Sequence, residues 1–169
     1  YLTVALNPHD SVHLVRVINT PARGIGKTTI EALEDLAVER GTSLWGAIEA
    51  AIREQCMPGR IIRTVEPFYA MASEFVKDAG ELTIVQLLEK IVSRTKYLET
   101  LQEEGTEEAY NRIENIRELL TAAEESQVRG EGLREFLDHA ALVSDQDSFD
   151  EQAPITLMTL HTAKGLEFP

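Results

Sequence analysis

Residues 7–33, NPHDSVHLVRVINTPARGIGKTTIEAL, contain the pattern that decides the fold. Apolar residues recur at helical spacing before and after Arg23–Gly26, a segment in which two glycines enclose one isoleucine. Two helices joined by such a tight Gly-Ile-Gly turn form a helix–hairpin–helix. We therefore predict a helix–hairpin–helix-like element here, with Ile25 anchoring the turn inward.

The start of the first predicted helix carries helix-start signals. Asn7-Pro8 is typical of an N-cap followed by proline at the first helical position, and Asp10 is placed near the exposed amides. The predicted buried stripe of this helix comprises Val12, Val15 and Ile18.

The predicted turn has the chemistry of a phosphate contact. Glycines let the backbone approach a phosphate closely, and free amides at the start of the following helix attract an anion. We expect Arg23 and Lys27 to supply positive charge towards the duplex backbone, without reading base sequence. A plain αα-hairpin turn without a ligand remains the alternative. The predicted duplex-binding residues are Arg23, Gly24, Ile25, Gly26, Lys27 and Thr28.

Two other kinds of site are disfavoured in this region. The letters RGIGKTT resemble a phosphate-binding P-loop, but Pro21 occupies the position of its first glycine and no strand leads into the turn. His9 and His13 have the i, i+4 spacing of metal ligands, but no third ligand lies nearby in the sequence. We predict no metal.

The charge of the chain is unevenly distributed. Its 169 residues include 16 basic and 29 acidic side chains, a net charge of −13, which by itself disfavours a nucleic-acid binder. Residues 11–30 contain no acid and three cations, Arg16, Arg23 and Lys27. Phosphate contacts are therefore expected in that window, whereas the remaining, acidic body is expected to be solvated.

The rest of the sequence predicts an all-α, multi-helix bundle. Gly41 is expected to end the second helix, Thr42 or Ser43 to cap the third, and Pro67 to kink or break a long helix near Glu66. Residues 155–160 predict one C-terminal strand that lacks its sheet. A first residue other than methionine and a strand-like end predict a piece of a larger protein. No apolar run is long enough to cross a membrane.

The C-terminal run LMTLHTAKGLEFP, residues 157–169, resembles motif V of the UvrD/PcrA/Rep group of superfamily 1 DNA helicases, in which T-[LI]-H-x-[AS]-K-G-L-E-F-P is characteristic. Residues 7–33 are similar to the beginning of the 2B subdomain of that family. The resemblance implies that residues 1–6 are the tail of a helix of motor domain 2A, and that residues 7–144 form the helical 2B subdomain. It further implies an acidic linker at 145–154 and the return strand and motif V of 2A at 155–169.

The resemblance also implies a function. It indicates a duplex-binding, regulatory 2B segment of a cytoplasmic, ATP-dependent 3′–5′ DNA helicase involved in DNA repair or replication. Its partners would be duplex and single-stranded DNA, the motor domains and repair proteins. Thr159, His161, Thr162 and Lys164 would contact the single strand, and Gly165 and Glu167 would lie towards ATP. ATP and Mg²⁺ would serve the parent enzyme, whereas this chain, lacking the phosphate loop and the Mg²⁺ carboxylate, is expected to be inactive alone.

A function of another class remains open. A strongly acidic helical protein also suits a protein-interaction module for repair partners or self-association, with negligible DNA binding alone. The net charge of −13 favours this alternative, and the basic window at Arg16–Lys27 favours duplex binding.

Overall fold

The computed structural model describes residues 1–146, with side chains up to residue 141. Every regular element in this part of the chain is an α-helix. The helices are α1 Leu2–Leu6, α2 Ser11–Ile18, α3 Lys27–Arg40, α4 Leu44–Glu54, α5 Gly59–Asp78, α6 Ile84–Thr95, α7 Tyr97–Glu104, α8 Glu107–Val128 and α9 Leu133–Gln146. None of these described helices is long and apolar enough to cross a membrane.

Tyr1–Leu137 form one compact unit. In one core cluster, α1 to α5 bury side chains that include Leu14, Ile18, Leu33, Ile48 and Phe68. A second cluster joins the later part of α5 to α6, α8 and the beginning of α9, and includes Phe75, Leu87, Ala123 and Phe136. The helices α1 and α5 each contribute buried residues to both clusters, so they connect the two halves of this unit.

The helices begin and end largely where their capping residues predict. Gly41 ends α3 in the left-handed conformation, and the Ser43 side chain accepts a hydrogen bond from the Gly46 amide at the start of α4. Thr83 and Gln86 form a reciprocal capping box on α6. Pro67 lies inside α5, which continues as one helix on both sides of it, so of the predicted kink or break the break is wrong.

The start of the α2 helix corrects two predictions. Its N-cap is Asp10, not Asn7, since Asp10 Oδ1 accepts a hydrogen bond from the His13 amide at 3.1 Å. Hydrogen bonds from the amide and ring of His13 hold the pKa of Asp10 below its ordinary value. The buried face carries Leu14, which the predicted stripe omitted, and Ile18, which it included. Val15 is partly buried against the same core cluster, whereas Val12 is 71% exposed, so the prediction is wrong for Val12.

The C-terminal predictions fall partly outside the described residues. The helix α9 continues to Gln146, two residues into the segment expected to be an acidic linker. The remainder of that segment and the strand predicted at residues 155–160 lie outside the part of the chain that the structure describes.

We expect Thr83→Ala to lower the free energy of unfolding by about 1 kcal/mol, because the substitution removes the side-chain acceptor of the α6 capping box. Thr83→Ser keeps the hydroxyl and is the matched control. Urea denaturation followed by circular dichroism measures both variants. Equal stability of the serine and alanine variants would contradict the assigned cap.

Candidate nucleic-acid interface

Residues 19–26 connect α2 to α3 and contain the predicted turn. The Ile25 side chain is completely buried in the first core cluster, as expected for an inward anchor. Its neighbours Gly24 and Gly26 are exposed. The peptide bond between Thr20 and Pro21 is cis.

The amides of the turn alternate between protein and solvent. Asn19 Oδ1 accepts hydrogen bonds from the amides of Arg23, at 2.7 Å, and Ile25, at 3.2 Å. The amide of Gly24, which lies between these two residues, and that of Gly26, which follows them, donate to no acceptor in the described residues. The same holds for the amides of Lys27 and Thr28, which belong to the first turn of α3 and have no intrahelical acceptor. Four backbone donors are therefore presented together on an exposed surface.

The two glycines have different roles. Gly24 has a φ of +76°, a left-handed conformation that strains any residue with a Cβ atom, and a Cβ there would lie 3.9 Å from the Thr64 methyl group. Gly26 has an ordinary φ of −82° as the N-cap of α3, and nothing lies within 4 Å of the place where its Cβ would stand. Gly24 is therefore needed for the path of the chain, whereas Gly26 leaves the surface above the free amides open.

Only one of the two predicted cations of this turn faces solvent. The Lys27 side chain is 88% exposed, and its Nζ lies 3.7 Å from Glu31 Oε1, an ion pair of the weak, solvent-screened kind. The Arg23 guanidinium faces the protein: Nη1 lies 3.0 Å from the Pro21 carbonyl oxygen, and Nη2 lies 2.7 Å from the Tyr1 hydroxyl. The expectation that both cations point outward is therefore wrong for Arg23.

A groove of about 440 Å³ lies beside the turn. The first turn of α3 and the glycines before it form one wall, and the start of α5 forms the other. The α5 wall brings in Arg60, an exposed arginine with no acidic partner among the described residues. The residues that line the groove are Gly24, Gly26, Thr28, Thr29, Pro58, Arg60, Ile61 and Thr64.

Arg60 is a candidate that the sequence analysis missed. Residues 55–65 form a second window without an acid, and they contain Arg60 and Arg63. The search for a segment without acidic residues, which identified residues 11–30, would also have found this one. Its position next to the turn could not have been predicted, because it results from the packing of α5 against the first helices.

The two histidines that were considered as metal ligands do not line this groove. His9 Nδ1 lies 2.8 Å from Ser43 Oγ, and His13 Nδ1 lies 2.8 Å from Asp10 Oδ2, so each histidine ring has its own partner. In the described part of the chain, no three metal-binding side chains come together. The residues predicted to contact single-stranded DNA, Thr159, His161, Thr162 and Lys164, and those predicted near ATP, Gly165 and Glu167, lie outside the described residues.

Comparisons with known proteins agree with the resemblance in the sequence. The family of UvrD-like helicase C-terminal domains matches residues 1–169. The ATP-dependent DNA helicase PcrA of Staphylococcus aureus strain Mu50 is 30% identical over 181 residues, and that of Staphylococcus epidermidis strain RP62A is 32% identical over 173 residues. Each match covers 100% of this chain and 24% of the relative, so the chain spans about a quarter of the length of these helicases.

We expect Gly24→Ala to lower the free energy of unfolding by about 1–2 kcal/mol, the cost of a left-handed conformation for a residue with a Cβ atom. Gly26→Ala, with an ordinary φ and open space, should cost less than about 1 kcal/mol as an N-cap substitution. Chemical denaturation of the two variants beside the wild type measures the difference. A larger loss in Gly26→Ala than in Gly24→Ala would contradict the roles assigned to the two glycines.

Proposed function

Because the chain belongs to the family of UvrD-like helicase C-terminal domains, we propose that residues 7–144 are the 2B subdomain of an ATP-dependent DNA helicase that acts in DNA repair or replication. In this proposal the subdomain binds duplex DNA at the phosphate backbone and regulates unwinding. The observation that carries the proposal is the set of four free amides at Gly24, Gly26, Lys27 and Thr28, beside the groove that Arg60 lines.

The chemistry of this surface suits a phosphate. Amides at the start of a helix point at a bound anion, and the helix dipole favours negative charge there. In the proposed complex, Arg60 in the wall of the groove and Lys27, exposed at the start of α3 beside it, neutralise phosphates of the duplex backbone. Thr28, exposed at the start of α3, adds a hydroxyl donor. The interface forms a helix–hairpin–helix that contacts the backbone and reads no base sequence.

The charge distribution supports the same surface. Both segments that contribute to the groove, residues 11–30 and 55–65, are free of acidic residues in a chain of net charge −13. Glu31 borders the first segment and pairs with Lys27, but exposed pairs of this kind exchange readily with other partners. Repulsion from the acidic remainder of the chain directs a duplex to this face.

The remaining parts of the proposal concern the whole helicase. Unwinding in the 3′–5′ direction, ATP and Mg²⁺ belong to the parent enzyme, since the phosphate loop and the Mg²⁺ carboxylate are absent from this sequence. Motif V contributes Thr159, His161, Thr162 and Lys164 to single-stranded DNA and Gly165 and Glu167 to the ATP side. The chain by itself hydrolyses no ATP and unwinds no DNA.

We expect Lys27→Ala and Arg60→Ala each to weaken binding of a blunt DNA duplex and to reduce the slope of log K against log salt by about 0.9, because each removes one phosphate contact. Fluorescence anisotropy with a labelled duplex from low to moderate salt measures both quantities. Two duplexes of unrelated sequence should be affected equally.

The chain offers a matched control for each variant. Lys77 is exposed on α5 and pairs with a glutamate four residues later, as Lys27 does. Arg134 is the second residue of α9 and exposed, as Arg60 is in α5. Equal effects of the control and test variants would contradict the proposed surface, and no duplex binding at any salt would favour the protein-interaction module.

A further inference from the structure

The guanidinium of Arg23 is held by the end of α2. Nη1 lies 3.2 Å from the Val17 carbonyl oxygen and 3.4 Å from that of Ile18, in addition to its contact with Pro21. The last carbonyls of a helix carry partial negative charge and have no amide partner within the helix. The guanidinium of Arg23 is thus hydrogen-bonded and stabilised by carbonyl oxygens of the protein itself.

Two aromatic rings flank the same guanidinium. Its central carbon lies 5.6 Å from the centre of the Phe68 ring in α5 and 5.8 Å from that of the Tyr1 ring, distances typical of cation–π contacts. Arg23 therefore links the turn to α5 and to the residue that precedes α1.

Tyr1 fixes this arrangement through its hydroxyl. The hydroxyl accepts a hydrogen bond from Arg23 Nη2 and donates to the Thr20 carbonyl, and its ring packs edge-on against Phe75, with centroids 6.3 Å apart. Burial raises the pKa of the Tyr1 hydroxyl above its ordinary value, and the nearby Arg23 opposes this rise. The hydroxyl therefore keeps its proton at neutral pH. It can therefore donate and accept at the same time.

We propose that Arg23 and Tyr1 are positioning residues, which hold the turn so that the amides of Gly24, Gly26, Lys27 and Thr28 are presented together. The inference rests on the duplex contact proposed above. Arg23 fixes one end of the turn, where its own amide and that of Ile25 donate to Asn19. Arg23 therefore contributes to duplex affinity through the shape of the turn and forms no phosphate contact of its own.

The variants Tyr1→Phe, Arg23→Lys and Arg23→Gln test this proposal in the duplex-binding titration. A lysine keeps the charge but cannot reach three carbonyls, a hydroxyl and two rings as a planar guanidinium does. We expect all three variants to bind duplex about threefold to tenfold more weakly, the effect of losing a hydrogen bond, with the salt slope of the wild type. The control is Tyr69→Phe, because Tyr69 is a half-buried tyrosine whose ring packs on Trp45. This variant should bind duplex as the wild type does.

Two results would overturn the proposal. If Arg23 contacts a phosphate, Arg23→Lys will retain wild-type affinity and Arg23→Gln will lower the salt slope by about 0.9. Wild-type affinity of the Tyr1→Phe variant for duplex DNA would show that the Tyr1 hydroxyl does not position the turn.

Amide hydrogen exchange without DNA separates this inference from the proposed function. The Ile25 amide, which donates to Asn19, should exchange at least threefold faster in Tyr1→Phe and Arg23→Lys than in the wild type. If the wild type binds no duplex, the proposed function fails, and this measurement alone decides whether Arg23 and Tyr1 hold the turn. Unchanged protection of Ile25 would overturn the inference.

Discussion

The burial of Ile25 is the constraint on which the surface of this molecule depends. Its side chain fills the core between the first helices, and its amide donates to Asn19. Ile25 lies between Gly24 and Gly26, which are both exposed. The left-handed conformation of Gly24 then brings the chain into α3. The buried Ile25 thus fixes the turn that carries the free amides of Gly24 and Gly26, and the first turn of α3 adds those of Lys27 and Thr28.

The distribution of charge distinguishes this surface from the rest of the chain. The chain is strongly acidic, yet the two segments that meet at the groove carry no acid. Arg23 lies within this basic region, but its charge is directed at carbonyl oxygens of its own turn, whereas Lys27 and Arg60 remain available to a ligand. Charge counted from sequence therefore overestimates what Arg23 offers to a phosphate and omits Arg60.

Local patterns predicted the helices and several of their ends. Gly41 and Ser43 act as predicted, because the effect of a cap depends on backbone and side-chain chemistry within one turn. The prediction of Asn7 as the N-cap failed because Asn7 is the C-cap of α1, where its amide donates to the Thr3 carbonyl oxygen, and Asp10 caps α2 instead. Val12 was predicted to be buried but is exposed, since the buried face of a helix depends on what that helix packs against.

The parts of the site that escaped prediction are tertiary. The contact of Arg23 with Tyr1 joins residues far apart in sequence, and the approach of Arg60 to the turn requires α5 to pack across the first helices. Neither leaves a signal in spacing or composition near the turn. By contrast, the family could be identified from two local signatures, and its match extends over the whole chain.

The proposed duplex-binding surface is tested most directly by the change in backbone amide resonances of the ¹⁵N-labelled chain on addition of duplex DNA. We expect the largest shifts at Gly24, Gly26, Lys27 and Thr28 and at the start of α5 around Arg60. Shifts confined to α7 and α8, with the turn unaffected, would contradict it.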